Sequence, residues 1–322
     1  MQANKIEMSK PRIVVSRCLG FAHCRYNGDV IRDDFVENLT PFVEYITVCP
    51  EVEIGLGIPR KPIRLIKEND QLELYQPDTE KLFTKEMQDY NERVLGSLED
   101  IDGFILKGRS PSCGIKDVKV YNGRGKAPVL GKDAGIFGGA VLEKFPHLPV
   151  EEEGRLTNLK IREHFLTKLY TMKRFKRIEK EGLMKDLVKF HADNKYLFIA
   201  YDQNQSRKLG QIVANHDKLT LEEVVQTYKL VLSETLEEAP KHSNYINSLM
   251  HIFGYFSQDL SPEERQFILE SFDKFREDKI HLSVPVNLLK SYVLRFKDKN
   301  LVDQTIWEPF PDELLDISDT GK

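Results

Sequence analysis

The chain has 322 residues, 30% of them charged and 40% hydrophobic, with a formal net charge of -4. At about 100–200 residues per domain this points to two domains with ordinary apolar cores, and it excludes collagen-like, mucin-like and wholly disordered chains. No apolar run nears the ~18 residues of a membrane span, and the charge balance excludes a basic nucleic-acid coat over the whole length.

The polar opening, Met1–Lys10, lacks the apolar segment of a secretory signal. The expectation is a flexible tail on a cytoplasmic protein that keeps its cysteines reduced. Ile13–Ser16 (IVVS) is a buried-strand run, Ile31–Tyr45 has helical spacing, and Ile46–Cys49 (ITVC) is a second buried strand. Ile63–Ile66 and Leu72–Tyr75 suit a small hairpin or edge strands. Thr79–Leu98 reads as an amphipathic helix capped by Asp78 or Thr79. Gly103–Leu106 (GFIL) is a third buried strand, Val118–Tyr121 another short one, Ala134–Phe145 a helix and Leu148–Val150 a last strand. Strands alternating with helices predict βαβ units and a mostly parallel sheet with helices on its faces, a three-layer α/β domain.

From Leu156 onward the period is 3.6 and glycine is sparse. Helices are predicted at Leu156–Glu181, Met184–Asn194, Gln203–Asn215, Thr220–Leu236, Lys241–Tyr255, Ser261–Asp278 and Pro285–Phe296, with Pro262 and Pro285 suited to helix starts. This half reads as all-α. The boundary falls near the acidic turn Glu151–Arg155, and the acidic segment Pro309–Lys322 reads as loose at its end. Charge is uneven: Arg155–Lys208 holds 14 Lys and Arg against 6 Asp and Glu. Taken alone, that run reads as a solvated helix face with scattered ion pairs. His164 and His191 read as surface or cap residues, and Trp307 as an apolar anchor.

All four cysteines, Cys18, Cys24, Cys49 and Cys113, lie in the α/β half. Cys18 follows IVVS, Cys49 ends ITVC and Cys113 sits in the loop after GFIL. Loops at the carboxyl ends of parallel strands share one crevice, so these three can meet in space. They fit a metal or iron–sulfur site; they equally fit small buried residues at strand ends. His23 beside Cys24 leaves a zinc set of Cys18, Cys24, Cys49 and Cys113 open, although no C-x-x-C pair occurs. Glu51 and Glu53, just past Cys49, are candidate acid/base groups or simply acids at a helix N-terminus. Ser110 and Ser112 flank Pro111 as polar site groups or as ordinary turn residues.

The motifs S-R-C-L-G, R-Y-N-G (Arg25–Gly28), V-C-P-E-V-E-I-G-L-G-I-P-R-K-P-I-R-L (Val48–Leu65) and K-G-R-S-P-S-C-G (Lys107–Gly114) resemble the thiouracil desulfidase family. The resemblance spans the N-terminal half. V-E-E-E-G-R-L (Val150–Leu156) is similar to the junction of its two-domain members. N-K-Y-L-F-I-A-Y (Asn194–Tyr201), L-G-Q-I-V-A (Leu209–Ala214) and W-E-P-F-P-D-E-L (Trp307–Leu314) resemble the YbgA-type helical domain that accompanies it. The implied organisation is a tail at 1–10, an α/β iron–sulfur domain at 11–155 and an all-α, tRNA-binding domain at 156–322.

The resemblance implies a [4Fe–4S] cluster on Cys18, Cys49 and Cys113, with Cys24 outside the ligand set. It implies a non-redox desulfidase acting on 4-thiouridine in tRNA, in which the open iron takes the sulfur, Glu51 handles the proton of water and Ser110 positions water or base. Arg60, Lys61, Arg64, Lys107 and Arg109 would take phosphates near the base, and Lys173, Arg174, Lys176 and Arg177 phosphates further along the tRNA. Two alternatives stand beside it: a desulfidase for free thiouracil or thiouridine, and a non-catalytic RNA-binding protein with a structural zinc.

Overall fold

The computed structural model describes residues 9–125 and 127–318. Most of the expected N-terminal tail, and the last four residues of the acidic C-terminus, lie outside the described residues. The chain divides into two compact units within one helix, between Leu169 and Tyr170, and the described residues from Leu314 onward belong to the first unit.

In the first unit the elements run β1 (Arg12–Ser16), α1 (Asp34–Leu39), β2 (Glu44–Val48), α2 (Pro50–Glu53), β3 (Arg64–Glu68), β4 (Gln71–Gln76), β5 (Lys81–Leu82), α3 (Thr84–Ser97), β6 (Gly103–Leu106), β7 (Val118–Asn122), β8 (Val129–Asp133), α4 (Ile136–Lys144) and β9 (Val150–Glu152). One sheet has the order β2-β1-β6-β9 and is parallel throughout. Its central strands are apolar without alternation: Ile13, Val14, Val15, Phe104, Ile105 and Leu106 are all fully buried, as a sheet covered on both faces requires. The second sheet has the order β5-β4-β3-β7-β8 and is built from hairpins, with only β3–β7 parallel. The expected parallel-rich α/β half is thus present, and the expected hairpin is β3–β4.

Three local expectations change. The helix predicted from Thr79 begins at Thr84, because Gln76–Leu82 is taken up by the β4–β5 turn, where the Thr79 hydroxyl bonds Gln76 at 2.7 Å. The helical stretch predicted over Ile31–Tyr45 is only α1 and one 3₁₀ turn, Thr40–Phe42, before β2 starts. Strand β8 was not anticipated: its five residues are all exposed, so no buried face leaves a period-2 pattern to read.

The helices that follow are α5 (Leu159–Glu181), α6 (Met184–Tyr201), α7 (Gln203–Ala214), α8 (Leu221–Thr235), α9 (His242–Phe253), α10 (Pro262–Arg276) and α11 (Ser283–Phe296). Thr220 and Ser261 each close a capping box, with Glu223 and Glu264 respectively. Helix α6 outruns its predicted end at Asn194 because Tyr196–Tyr201 are buried all round and carry no helical period. It stops where the Asp202 carboxylate accepts the N–H groups of Asn204 and Gln205 and starts α7.

The second unit's core is aromatic. Phe175 stacks on Tyr228 with ring centroids 5.5 Å apart, and Phe190 packs against both. Trp307 is buried as expected, its indole N–H on the Leu301 carbonyl at 2.6 Å. His191 is neither surface nor cap: it is half-buried within α6, with Nδ1 3.2 Å from the Tyr228 hydroxyl. Back in the first unit the C-terminal segment is anchored through Ser318, since Arg162 donates to the carbonyls of Asp316 and Ser318 at 2.5 and 2.6 Å. Among the described residues no helix is long and apolar enough to cross a membrane.

Candidate active site

Strands β1, β2 and β6 lie side by side with their carboxyl ends level, Ser16 opposite Val48 and Val15 opposite Ile105. Cys18 comes two residues after β1, Cys49 directly after β2, and Cys113 near the end of the loop that follows β6. All three, together with Cys24, line one cavity of about 460 Å³. None of the four forms a disulfide. Cys49 begins α2, with its carbonyl accepting the N–H groups of Val52 and Glu53 at 3.1 Å. Its thiol donates to the Cys24 carbonyl at 3.8 Å, which joins the 18–31 loop to the second strand end.

Burial governs the thiols. It pushes Cys18 up to about 11, with the neighbouring Cys49 adding to the effect and Lys107 opposing it. Burial and then Cys49 push Cys24 up to about 12. Cys113 is also raised by burial, against the hydroxyls of Ser16 and Ser112, which favour its thiolate. Desolvated thiols crowded together become thiolates when a cation compensates them, so this donor set suits a cationic metal centre. Among the described residues no group of three His, Cys, Asp or Glu side chains is placed to hold a single metal ion, which is what a lone structural zinc needs. A cluster differs, because each cysteine binds its own iron. His23 is exposed, and its Nδ1 lies 3.3 Å from the Gly28 carbonyl.

Glu51 is the only carboxylate among the residues lining the cavity. Its Oε2 accepts from Arg60 Nε at 2.8 Å and Nη2 at 2.6 Å. Its Oε1 accepts the Ser112 hydroxyl at 2.6 Å and faces the Ser110 hydroxyl at 3.2 Å. The two serine oxygens are 2.9 Å apart, and Ser110 Oγ accepts the N–H groups of Ser112 and Cys113. A hydroxyl has one proton, so the short Ser112–Glu51 bond leaves Ser110 to donate to Ser112 and to accept from the backbone. The result is an oriented carboxylate with a two-hydroxyl chain leading from it, beside the thiols.

Of the residues expected at the site, Cys18, Cys49, Cys113, Glu51, Ser110, Arg60, Lys107 and Arg109 line the cavity. Arg60 is not turned out toward a phosphate: beyond Glu51, its Nη1 donates to the Cys24 and Gly57 carbonyls at 2.9 and 3.1 Å. Lys107 pairs with Glu153. Arg109 is exposed. Lys61 is exposed and paired with Asp78 at 2.9 Å. Arg64 lies over the Tyr121 ring at 4.9 Å and donates to the Arg124 and Gly125 carbonyls. Lys173, Arg174, Lys176 and Arg177 are on α5 in the second unit. Of these Arg177 is exposed, whereas Arg174 donates to the Pro309 carbonyl at 3.0 Å and burial lowers it to about 10. Sequence reasoning did not assign Ser112, Ser16, Arg25 and Tyr26 to the site. The S-P-S-C spacing was the available signal for Ser112, and the other three lie within the motifs S-R-C-L-G and R-Y-N-G.

Comparison with known proteins matches residues 13–153 to the 2-thiouracil desulfurase family and residues 195–311 to a protein family of unknown function, DUF1722. The chain is 28% identical over 148 residues to the uncharacterized protein YbgA of Escherichia coli K12, covering 45% of this chain and 88% of that protein. It is 32% identical over 120 residues to the uncharacterized protein YbbK of Bacillus subtilis 168, covering 34% of this chain and 77% of that protein. A solved structure described as a [4Fe–4S]-dependent thiouracil desulfidase, TudS, is 28% identical, with a TM-score of 0.36, covering 46% of this chain and 93% of that one.

Proposed function

Because the chain belongs to the 2-thiouracil desulfurase family, in a form that carries a YbgA-type DUF1722 domain as well, we propose that it is a desulfidase converting 4-thiouridine in tRNA to uridine. Water oxygen replaces sulfur at C4 and sulfur leaves as hydrosulfide, so no electron donor or acceptor is needed. The observation that carries this reading is the convergence of Cys18, Cys49 and Cys113 with the anchored Glu51 on one cavity. The three cysteines would hold a [4Fe–4S] cluster, which when bound supplies a Lewis-acidic iron to a thiocarbonyl sulfur. Glu51 takes a proton from water, directly or through the Ser112 and Ser110 hydroxyls, and Ser110 orients the reacting group. The exposed Arg177 on α5 and the exposed Arg109 support a polyanionic substrate. A thiouridine within folded tRNA must leave its stack to enter. A tRNA substrate implies a cytoplasmic location.

The test is anaerobic reconstitution with iron and sulfide, incubation with tRNA containing 4-thiouridine, and nucleoside quantification after digestion. Loss of 4-thiouridine matched by gain of uridine is expected. A second reading, turnover of free thiouracil, is favoured by one observation: Arg60 and Lys107, two cations of the cavity, are already engaged by Glu51 and Glu153. Turnover of the base with none of the tRNA would replace the first reading with the second.

A further inference from the structure

The acidic triplet that ends β9 has a task beyond closing the α/β unit. Its three carboxylates go to three different partners. Glu151 pairs with Arg155 at 2.7 and 3.1 Å. Glu152 Oε1 accepts the N–H groups of Ile115 and Lys116 at 2.8 and 3.4 Å. Glu153 Oε2 accepts the N–H of Gly108 at 2.7 Å, and Oε1 pairs with the Lys107 ammonium. Gly108 and Lys107 open the loop that carries Ser110, Ser112 and Cys113, and Ile115 and Lys116 close it. The two carboxylates therefore grip its opposite ends.

We propose that Glu152 and Glu153 are positioning residues for this loop, setting Ser110, Ser112 and Cys113 against the two neighbouring cysteine-bearing strand ends. Three further observations bear on this. Glu152 pairs in register with Leu106, the last residue of β6, so β9 ends where the loop begins. Gly108 leaves room for the brace, since a Cβ there would lie 2.8 Å from a Glu152 carboxylate oxygen. Glu152 and Glu153 are 5% and 9% exposed, and buried carboxylates stay where they are compensated. The hydrogen bonds and the ion pair that compensate these two carboxylates come from the loop itself, so loosening the loop exposes uncompensated charge. The loop's middle has a separate hold, the N–H groups of Phe137 and Gly138 on the Ser112 carbonyl at 2.9 Å. Removing one brace should thus free an end without unfolding the unit.

The importance of this loop rests on the reading of Cys113 and Ser110 as working groups; the brace itself does not, and the experiment separates them. The cluster-free full-length protein is treated with N-ethylmaleimide, and each cysteine is followed by mass spectrometry. A buried thiol reacts only when its cover opens. Glu152→Ala is expected to raise the Cys113 rate about tenfold, the weight of one hydrogen bond to a charged group, with Cys24 and Cys49 within about twofold of the parent. Glu152→Gln keeps an acceptor oxygen and stays near the parent. Glu153→Ala behaves as Glu152→Ala, and Glu151→Gln, equal in charge loss but not on the loop, changes nothing. If Glu152→Ala does not fold, Glu152→Asp serves, its shorter reach weakening the same bond. A parallel rise at all cysteines with a falling Tm would make the triplet merely structural, and an unchanged Cys113 rate would mean the α4 contacts hold the loop alone; either overturns the proposal. In the reconstituted enzyme the same Ala variants should lose kcat with KM kept. Absence of turnover in the parent would count against the proposed function and leave the alkylation result standing.

Discussion

The two units handle buried polarity in opposite ways. Apart from Arg174, whose guanidinium is desolvated, the buried charged residues described are Asp102, Glu152, Glu153, Arg162 and Lys168, all in the first unit. The second unit buries neutral hydroxyls and amides instead, such as Thr171, Asn194, Ser248 and Gln304, around an aromatic core. Buried charge is costly unless paired and hydrogen-bonded, and it is kept where it orients something. In the first unit part of it orients a cavity: Glu152 and Glu153 hold the third cysteine loop, beside the part-buried pair in which Arg60 holds Glu51; Arg162 holds the C-terminal segment. In the second unit polarity serves to satisfy helix ends and crossings. The reactive groups of the molecule therefore gather in the first unit, where the thiols and Glu51 share one cavity.

The largest test of that contrast is removal of a cysteine. Cys49→Ala should reduce iron and acid-labile sulfide to background after anaerobic reconstitution and abolish desulfuration. Cys24→Ala, in the same cavity but outside the assigned set, should keep its iron; if it loses iron as Cys49→Ala does, the ligand assignment fails. Next is Glu51→Gln, which keeps contact with both serines but loses the charge facing Arg60. The expected drop in kcat is about 10²–10⁴-fold with iron content unchanged. Arg60, its side chain 5% exposed, is then left without its anion at a cost of about 3–5 kcal/mol. Glu51→Gln combined with Arg60→Met should recover stability and not turnover.

Core truncations should separate the units next. Phe104→Ala in β6 and Phe175→Ala in α5 each remove a fully buried ring and should each cost about 3–5 kcal/mol in urea unfolding. Only Phe104→Ala, on the strand that leads into the Cys113 loop, should also speed alkylation of the site cysteines. Equal acceleration in Phe175→Ala would mean that the aromatic core supports the cavity as well.

How far the sequence foretold this depends on what kind of signal each feature leaves. IVVS and GFIL were legible as strands because a parallel strand covered on both faces is a plain apolar run; ITVC was legible by its apolar, β-branched residues, although it falls on the half-buried edge strand β2, which ends at Val48. Their cysteines were legible for the same reason, since a strand's end fixes where the next residues project. Strand β8 was not, because VLGKD has no buried face. Arg60 was assigned to phosphate because a sequence gives its charge but not its partner, and that partner, nine residues back, meets it only through the fold around the Gly57 turn. The Glu151–Glu153 run reads as an acidic boundary, since alternation along β9 and the return of the 107–116 loop are tertiary facts. Ser112 was visible in S-P-S-C, yet nothing local ranks it with Ser110.

The smallest of the expected effects tests the second unit's neutral interior through its one strongly shifted imidazole. His191 sits against Tyr228 edge to face, with centroids 6.1 Å apart, and burial first, then Lys195, lowers it to about 4. The unfolded chain holds this histidine near its ordinary ~6.5. Between those values the unfolded state binds a proton that the folded state refuses. Stability is therefore complete above pH 6.5, declines as pH falls toward 4 and levels below it. At 1.36 kcal/mol per pH unit the limit is about 3 kcal/mol, less whatever solvent screens at a partly exposed ring. Carboxylates titrate over the same range, so the measurement is a difference: urea unfolding of the parent and His191→Gln at pH 7 and pH 4.5. The variant should lose less stability on acidification than the parent. An equal loss in both would mean that the imidazole protonates freely in the folded state, and that the helical core is more open to water at Tyr228 than its packing indicates.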